Sequence, residues 1–451
     1  MSPNIKASRQ HPRYFERADG SAFIPVGPNL AFQRFVGDDE AFAAYGRQFA
    51  TLAANGGNFA RIWLGVPFLD IEPEREGVFD ERRQNQLRRL CALAADHGVQ
   101  LKLTLGHFRT LEPSRQAESF PGAASFVNTV HRPENGGACL TMEDYLSSEA
   151  GRAAFLRKLD KLPETLADAD NIMAVELWNE INSVATPQDA WRAWTEAMLP
   201  EIRRRFPRSL VVQSLGSFDG PWAFDIYQWL CDLPSNDFVQ AHRYLDLGAE
   251  LELCHGPMDE LCADAVTWLL AHSSRPALLA EAGAVEPRHS GPSKLYPLDT
   301  EGTLLHDILF APFFAGSAGP GQCWHWDFHL DKNKLWWHFQ RFANAIAGVD
   351  PVAEGFQPQR LEHPQLRVYV LKGRGTSLLW CRDKASDWRS ELVDGNPAKL
   401  LEGIEINLGR LEGQAAAYLP WDDTHAPLQR DGDRLRLPPF KRSIVVKLQR
   451  S

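Results

Sequence analysis

Short apolar runs alternate with longer amphipathic stretches over most of this 451-residue chain, and two of those runs end in a glutamate. The first is Ile172-Met-Ala-Val-Glu-Leu-Trp-Asn-Glu180 and the second is Ala277-Leu-Leu-Ala-Glu281-Ala-Gly283. Each reads as a strand buried on both faces, with a carboxylate at or just past its C-terminal end. Strands of that kind belong to parallel sheets covered by helices. A barrel of parallel strands gathers their C-terminal ends on one face.

Eight candidate strands follow this pattern, at 22–27, 58–65, 100–108, 172–179, 210–218, 238–244, 277–283 and 321–326. Helix-like stretches lie between them at 39–54, 80–97, 149–168, 187–206, 258–272 and 331–347. The first ends at Asn55-Gly56-Gly57, a stop signal, and Pro187 stands where a first helical turn tolerates proline. The pattern predicts an α/β fold, a (β/α)8 TIM barrel, over 1–350. The stretch 14–23 reads as a hairpin around Asp19-Gly20 that closes the barrel floor. A long segment from Arg109 to Leu146 follows the third strand, and its length predicts a wall beside the site. Beyond Pro351 the helical period disappears. Alternating strands at 366–372, 377–382, 404–408, 415–420, 434–437 and 443–448 are joined by Gly, Asp and Asn turns. They predict a small antiparallel β-sandwich over 351–451.

Composition narrows the partners. The net charge is −10, with no basic stripe to offset it, which argues against nucleic acid and anionic membranes. No apolar run approaches the roughly 20 residues of a membrane span. The seven cysteines are scattered without a CxxC pair, the pattern of free, buried thiols in a reducing compartment. The opening Met1-Ser-Pro-Asn-Ile-Lys6 has no apolar core of a signal peptide, so the expectation is a cytoplasmic protein, or a secreted one if its natural start is missing.

The two strand-end glutamates carry the chemistry. Paired carboxylates across a pocket are the machinery of glycoside hydrolysis. Glu180 is placed to protonate a leaving glycosidic oxygen, and Asn179 to hydrogen-bond a sugar hydroxyl beside the anomeric carbon. Glu281 lies three βα units later, across the barrel mouth, and is then the nucleophile. Glu176, deeper in the Glu180 strand, reads as an interior carboxylate with a charged partner.

Taken together, these strand ends resemble clan A glycoside hydrolases, most closely the family 5 cellulase-type group, over about residues 15–345. Phe23-Ile-Pro-Val-Gly-Pro-Asn29 resembles the opening strand of that group. Arg61 in Asn58-Phe-Ala-Arg-Ile-Trp63, His107 after the third strand, and His242-Arg-Tyr244 on the sixth match its pattern. Trp324 or Trp326 falls where the eighth strand supplies a tryptophan platform. The chain departs from the group at Ile181, where proline is usual, and at Ala280-Glu-Ala-Gly283. The resemblance implies that Arg61 keeps Glu281 ionised and Tyr244 orients it. It implies that His107 and His242 line the subsite for the non-reducing sugar and that Trp324 or Trp326 stacks on a sugar face.

The expected activity is a retaining β-glycosidase with a carbohydrate substrate and neither cofactor nor metal. β-Glucosides or β-glucan are the expected substrates, with β-mannosidase or mannanase action as the alternative. Two rivals stay open. One is a metal-dependent barrel hydrolase, with His325 and His329 framing Asp327; the other is an inactive sugar-binding protein. Trp380, Trp388 and Trp421 of the sandwich either bind sugar or pack against the barrel.

Overall fold

A computed structural model describes residues 5–34, 37–113, 126–409 and 411–450. Strands Phe59–Trp63, Gln100–Gly106, Ile172–Trp178 and Leu210–Val212 form one parallel ladder. Val239–Leu245 pairs in parallel with Ala277–Ala284. Backbone hydrogen bonds carry the circuit across the remaining seams. Asp237 N donates to Val211 O at 2.9 Å and Phe218 N to His242 O at 2.7 Å. Trp324 N donates to Ala282 O at 2.9 Å, Asn29 N to Cys323 O at 3.0 Å and Leu30 N to Arg61 O at 2.9 Å. The strands follow one another in the order of a (β/α)8 barrel. Every residue of Val239–Leu245 and of Ala277–Ala284 is buried, as expected for strands with helices outside and packed side chains inside.

The first barrel strand is displaced from its expected place. Ala22–Phe23 pairs antiparallel with Phe15–Glu16 around Gly20 (φ 85°), in a three-stranded sheet. The barrel position goes instead to residues 26–31, which touch the second strand through the Asn29–Arg61 bridge. Pro25 and Pro28 have no N–H to give to a ladder, so the pairing there is sparse. The hairpin does lie under the barrel: Phe15 meets Phe238, at the N-terminal end of the sixth strand, edge-on at 5.6 Å.

Two long helices were not foreseen, Ala223–Asp232 and Thr303–Phe314, nor were the short ones Met142–Ser147 and Pro351–Glu354. All twelve residues of Thr303–Phe314 are buried, so it has no polar face to create a helical period. The helix expected over 331–347 is shortened to Trp337–Ala345, after a π-helical turn at Trp326–Asp331. The fifth strand is also short, Leu210–Val212. Part of the long segment after the third strand, 114–125, lies outside the described residues, and with it part of the expected wall. The rest carries a short helix, Met142–Ser147, started by a capping box between Thr141 and Asp144.

The C-terminal part forms a six-stranded antiparallel sheet and a three-stranded one around their own apolar cluster. It docks on two barrel helices through buried ion pairs. Arg367 donates twice to Asp259, at 2.6 and 2.8 Å, and Tyr369 adds a third bond at 2.8 Å. Arg382 donates to both oxygens of Asp307, at 2.7 and 3.1 Å. Trp380 and Trp388 are buried, Trp388 donating to Gly256 O at 2.9 Å, and Trp421 packs on His306 at 4.7 Å. These three tryptophans therefore serve the junction with the barrel. All seven cysteines are buried and unpaired. Among the described residues no helix is long and apolar enough to cross a membrane.

Candidate active site

Glu180 and Glu281 meet at the C-terminal mouth of the barrel. The strand Ile172–Trp178 ends just before Asn179, whose N–H still bonds Gly106 O at 2.8 Å. Glu180 then turns into the left-handed region (φ 51°, ψ 55°), held by its own N–H on Ser214 Oγ at 3.1 Å. A glutamate in that conformation is strained, and such strain collects where a side chain must be aimed. Glu281 sits within the seventh strand, opposite His242 in the parallel register, next to an irregularity at Ala241/His242. One oxygen of Glu180 and one of Glu281 lie within 4.8 Å of each other and of a His242 ring nitrogen.

Arg61 anchors the site from below. It is fully buried and divides its donors between two carboxylates. Its Nε and Nη2 reach Glu176 at 2.7 and 2.9 Å, and its Nη1 bonds Glu281 Oε1. The same guanidinium reaches Asn29 Oδ1 at 3.1 Å and Asn179 Oδ1 at 2.8 Å. The amide oxygen of Asn179 is thereby occupied, which leaves its NH2 as the group able to donate into the cavity. Burial pushes the Glu176 carboxyl up, but Arg61 and Lys102 outweigh it and hold it down at about 2. Burial lowers Lys102 to about 7 despite the attraction of Glu176.

The sixth strand supplies the other contacts. Tyr244 donates its hydroxyl to Glu281 Oε2 at 2.6 Å. Burial, then the charges of Glu281 and Glu180, push this phenol far up, so it stays a donor. His242 Nδ1 stands 3.0 Å from Glu180 Oε1 and 3.4 Å from Glu281 Oε2. Arg109, just past the third strand, donates to Glu180 Oε2 at 2.8 Å. Burial pushes the Glu180 carboxyl up, but the His242 hydrogen bond and the charges of His242, Arg109 and His289 bring it down to about 2.

Above these groups opens a cavity of about 500 Å³. Asn179, Glu180, Glu281 and Tyr244 form its floor, and Phe32, Trp63, Phe126, Trp324 and Phe328 supply aromatic walls. Arg34 and Arg109 add charge at the rim, each already paired, with Asp327 and Glu180 respectively. Flat aromatic faces around a few fixed polar groups make a surface suited to a sugar ring.

No family model matches the chain. A mannan endo-1,4-β-mannosidase 2 of Oryza sativa subsp. japonica is 23% identical over 268 residues, 52% of this chain and 58% of that protein. The chain thus spans less than two thirds of that relative's length. Among solved structures, an exo-β-1,4-mannosidase from Opitutaceae bacterium strain TAV5 superposes with a TM-score of 0.52 at 19% identity, covering 74% of this chain and 61% of that one. A glycoside hydrolase superposes with a TM-score of 0.61 at 12% identity, covering 99% of this chain and 96% of that one. This chain has the fold of the clan A glycoside hydrolases. The second superposition runs through both halves, so the glycoside hydrolase fold here includes the appended sandwich.

Within that fold the expected site residues separate into three groups. Glu180, Glu281, Asn179, Tyr244 and Trp324 line the cavity. Arg61 and His242 lie beneath it, bonded to the glutamates. His107 and Trp326 stand behind the wall. His107 is buried and stacked on Trp63 at 5.0 Å, in room left by the missing side chain of Gly65, and Trp326 packs edge-on against Phe32 and Trp324. Sequence reasoning missed Arg109, Arg34 and His289 as parts of the cavity. Arg109 had a usable signal, since it stands two residues beyond His107 at the end of a barrel strand.

The residues of the metal rival go to separate partners. His329 Nε2 bonds Asp299 at 2.9 Å, His325 Nδ1 meets Tyr296 OH at 2.8 Å, and Asp327 pairs with Arg34. Among the described residues two groups have ligand-like spacing, Glu180–His242–Glu281 and Asp219–Asp246–His289. The first is already bonded to Arg61, Tyr244 and Arg109. In the second, Asp246 Oδ1 accepts from Gly248 N and Arg288 N, and Oδ2 meets His289 Nδ1 at 3.1 Å.

Proposed function

We propose that this chain is a retaining β-glycoside hydrolase whose substrates are β-mannosides. The observation that carries the reading is the approach of the two glutamates, one oxygen of each within 4.8 Å of the other. Retaining enzymes hold their carboxyl groups roughly 5–5.5 Å apart, whereas inverting ones leave about 6.5–9.5 Å for a water. The mannosidase names of the rice relative and of the superposed exo-β-1,4-mannosidase favour mannose over the glucose expected from sequence.

In this mechanism Glu281 is the nucleophile, paired with Arg61 and oriented by Tyr244. Glu180 gives its proton to the glycosidic oxygen as Glu281 attacks the anomeric carbon and the bond to the leaving group breaks. A glycosyl ester on Glu281 results. Water then loses a proton to Glu180, its oxygen attacks the anomeric carbon, and the Glu281 carboxylate is released. The Asn179 NH2 donates to the neighbouring sugar hydroxyl, a contact that strengthens in the transition state.

The test is hydrolysis of aryl β-mannosides, β-glucosides and β-galactosides, with NMR of the first-formed sugar. Faster turnover of the mannoside with a β-configured product supports the reading. An α-configured first product defeats retention. A clear preference for glucoside or galactoside defeats the choice of mannose.

A further inference from the structure

The two oxygens of Glu180 face different surroundings. Oε1 meets His242 Nδ1 at 3.0 Å, and His242 is fully buried in the floor. Oε2 meets Arg109 Nη2 at 2.8 Å, and both of these residues line the cavity. A proton donor must stand within about 2.6–3.2 Å of the oxygen it protonates. A leaving oxygen arrives from the cavity, so the proton it receives must sit on Oε2. Arg109 already aims an N–H at that atom, and a guanidinium can only donate.

The Arg109 guanidinium reaches the cavity from a backbone that is tied down on both sides. Its N–H bonds Phe126 O at 2.8 Å and its carbonyl accepts from Ala185 N at 3.0 Å. The guanidinium lies over the Phe126 ring, 4.1 Å from the centroid, and its side chain is 33% exposed. Its Nε has no hydrogen-bond partner among the described residues. Arg61, by contrast, is fully buried with every nitrogen bonded.

We propose that Arg109 is a positioning residue that covers Oε2 of Glu180 and yields that atom to the leaving sugar when substrate binds. This rests on the retaining-hydrolase reading above. As the pair opens, Glu180 takes one proton from solvent onto Oε2, and that proton later passes to the glycosidic oxygen. Arg109 keeps its charge, and its freed N–H groups turn to the hydroxyls of the leaving sugar. The other groups that face Glu180 are His242 and Tyr244 from the sixth strand, Glu281 from the seventh, His289 and Asp219 from loops, and Tyr227 from the helix behind. Among the basic side chains, His242 is sealed in the floor. His289 is tied to Asp246 at 3.1 Å and to Ser217 at 2.9 Å. Among the described residues that leaves Arg109 as the one positioned to trade places with substrate.

The test compares pH profiles of the wild type with Arg109→Met, Arg109→Gln and Arg109→Lys on an aryl β-mannoside. The basic limb of kcat/KM reports the proton donor in the free protein, and that of kcat reports it in the complex. Removing the charge in Arg109→Met and Arg109→Gln moves the kcat/KM limb up by about one to three pH units. The kcat limb stays in place, because the pair is already open in the complex, and Arg109→Lys keeps both limbs near their wild-type positions. Limbs that move together, or a kcat/KM limb that does not move, overturn the proposal. If the wild type hydrolyses no β-glycoside, the retaining reading fails on its own. The pair is then read by carboxyl NMR titration of Glu180. A midpoint that rises in Arg109→Gln upholds the pairing, and an equal midpoint in the two proteins overturns it.

Discussion

Glu176 and Glu281 hang from one guanidinium, that of Arg61, one carboxylate deep in the barrel and the other at the cavity floor. The sequence placed Arg61 beside Glu281 and gave Glu176 an unnamed charged partner inside the barrel. Arg61 is the partner of both carboxylates. A change at Arg61 therefore acts on folding and on the site at once.

Arg61→Met is expected to lose activity by orders of magnitude and also to lose stability, by about 3–5 kcal/mol, because Glu176 stays buried with its main partner removed. Arg61→Lys keeps the charge but lacks the fork that spans two carboxylates, and falls between the two. Denaturant unfolding together with kcat/KM separates the effects. Full stability in Arg61→Met goes against the double role.

On the proposed mechanism, the two mouth glutamates are expected to differ in how azide rescues their loss. Glu281→Ala removes the nucleophile, so azide attacks from the vacated side and yields an α-glycosyl azide. Glu180→Ala still forms the glycosyl ester from substrates with good leaving groups, and azide then gives the β-azide. Product NMR distinguishes the two, and the opposite pairing exchanges the roles.

Tyr244→Phe removes the 2.6 Å bond to Glu281 Oε2 with little change of shape. A hydrogen bond to a charged group is worth about 1.5–3 kcal/mol, so kcat/KM is expected to fall about 10- to 100-fold. The drop is measured on an aryl glycoside at a pH where both proteins are fully folded. An unchanged rate means that Arg61 alone orients Glu281.

Acid should weaken the fold through Glu176. Its carboxyl sits at about 2 in the folded protein, against 4.5 for the free group. A depressed carboxylate gives stability that is complete above the unfolded value and is lost as pH falls through the folded one. Unfolding free energy is therefore expected to decline from about pH 4.5 towards pH 2. Glu176→Gln, less stable at neutral pH, should show a flatter decline over that window. Parallel curves for the two proteins would assign the acid loss elsewhere.

Asp259→Ala strips Arg367 and Tyr369 of their shared acceptor at the buried junction with the sandwich. The expected cost is about 3–5 kcal/mol, read as a lower unfolding midpoint. A loss below about 1 kcal/mol would mean that water replaces the carboxylate there.

The barrel and both mouth glutamates were legible because parallel strands leave long apolar runs and a charge ending such a run stands out. The sandwich was legible from its Gly and Asp turns, as at Gly373 and Gly375 between Leu366–Lys372 and Thr376–Asp383, whereas the strand Gln429–Asp431 was not foreseen. Depth was harder to read. His107 and Trp326 sit at the right strand ends, yet Trp63 and Phe32 stand between them and the cavity, and only packing decides that. The helix Thr303–Phe314 left no period because it is buried all round. The first barrel strand was misplaced because two prolines thin its ladder while a nearby Asp-Gly turn draws Ala22–Phe23 into a hairpin. The partner of Glu176 was out of reach of the sequence, since 115 positions separate it from Arg61.

The ion pairs that dock the sandwich lie on Met258–His272 and Thr303–Phe314, the two helices that flank the strand bearing Glu281. Asp259 and Asp307 are both buried there and both answered by arginines from the far half of the chain. The sandwich is thus a buttress. Cutting the chain before Pro351 would bare two carboxylates on the outer layer and loosen the pair of helices that brace the Glu281 strand from behind.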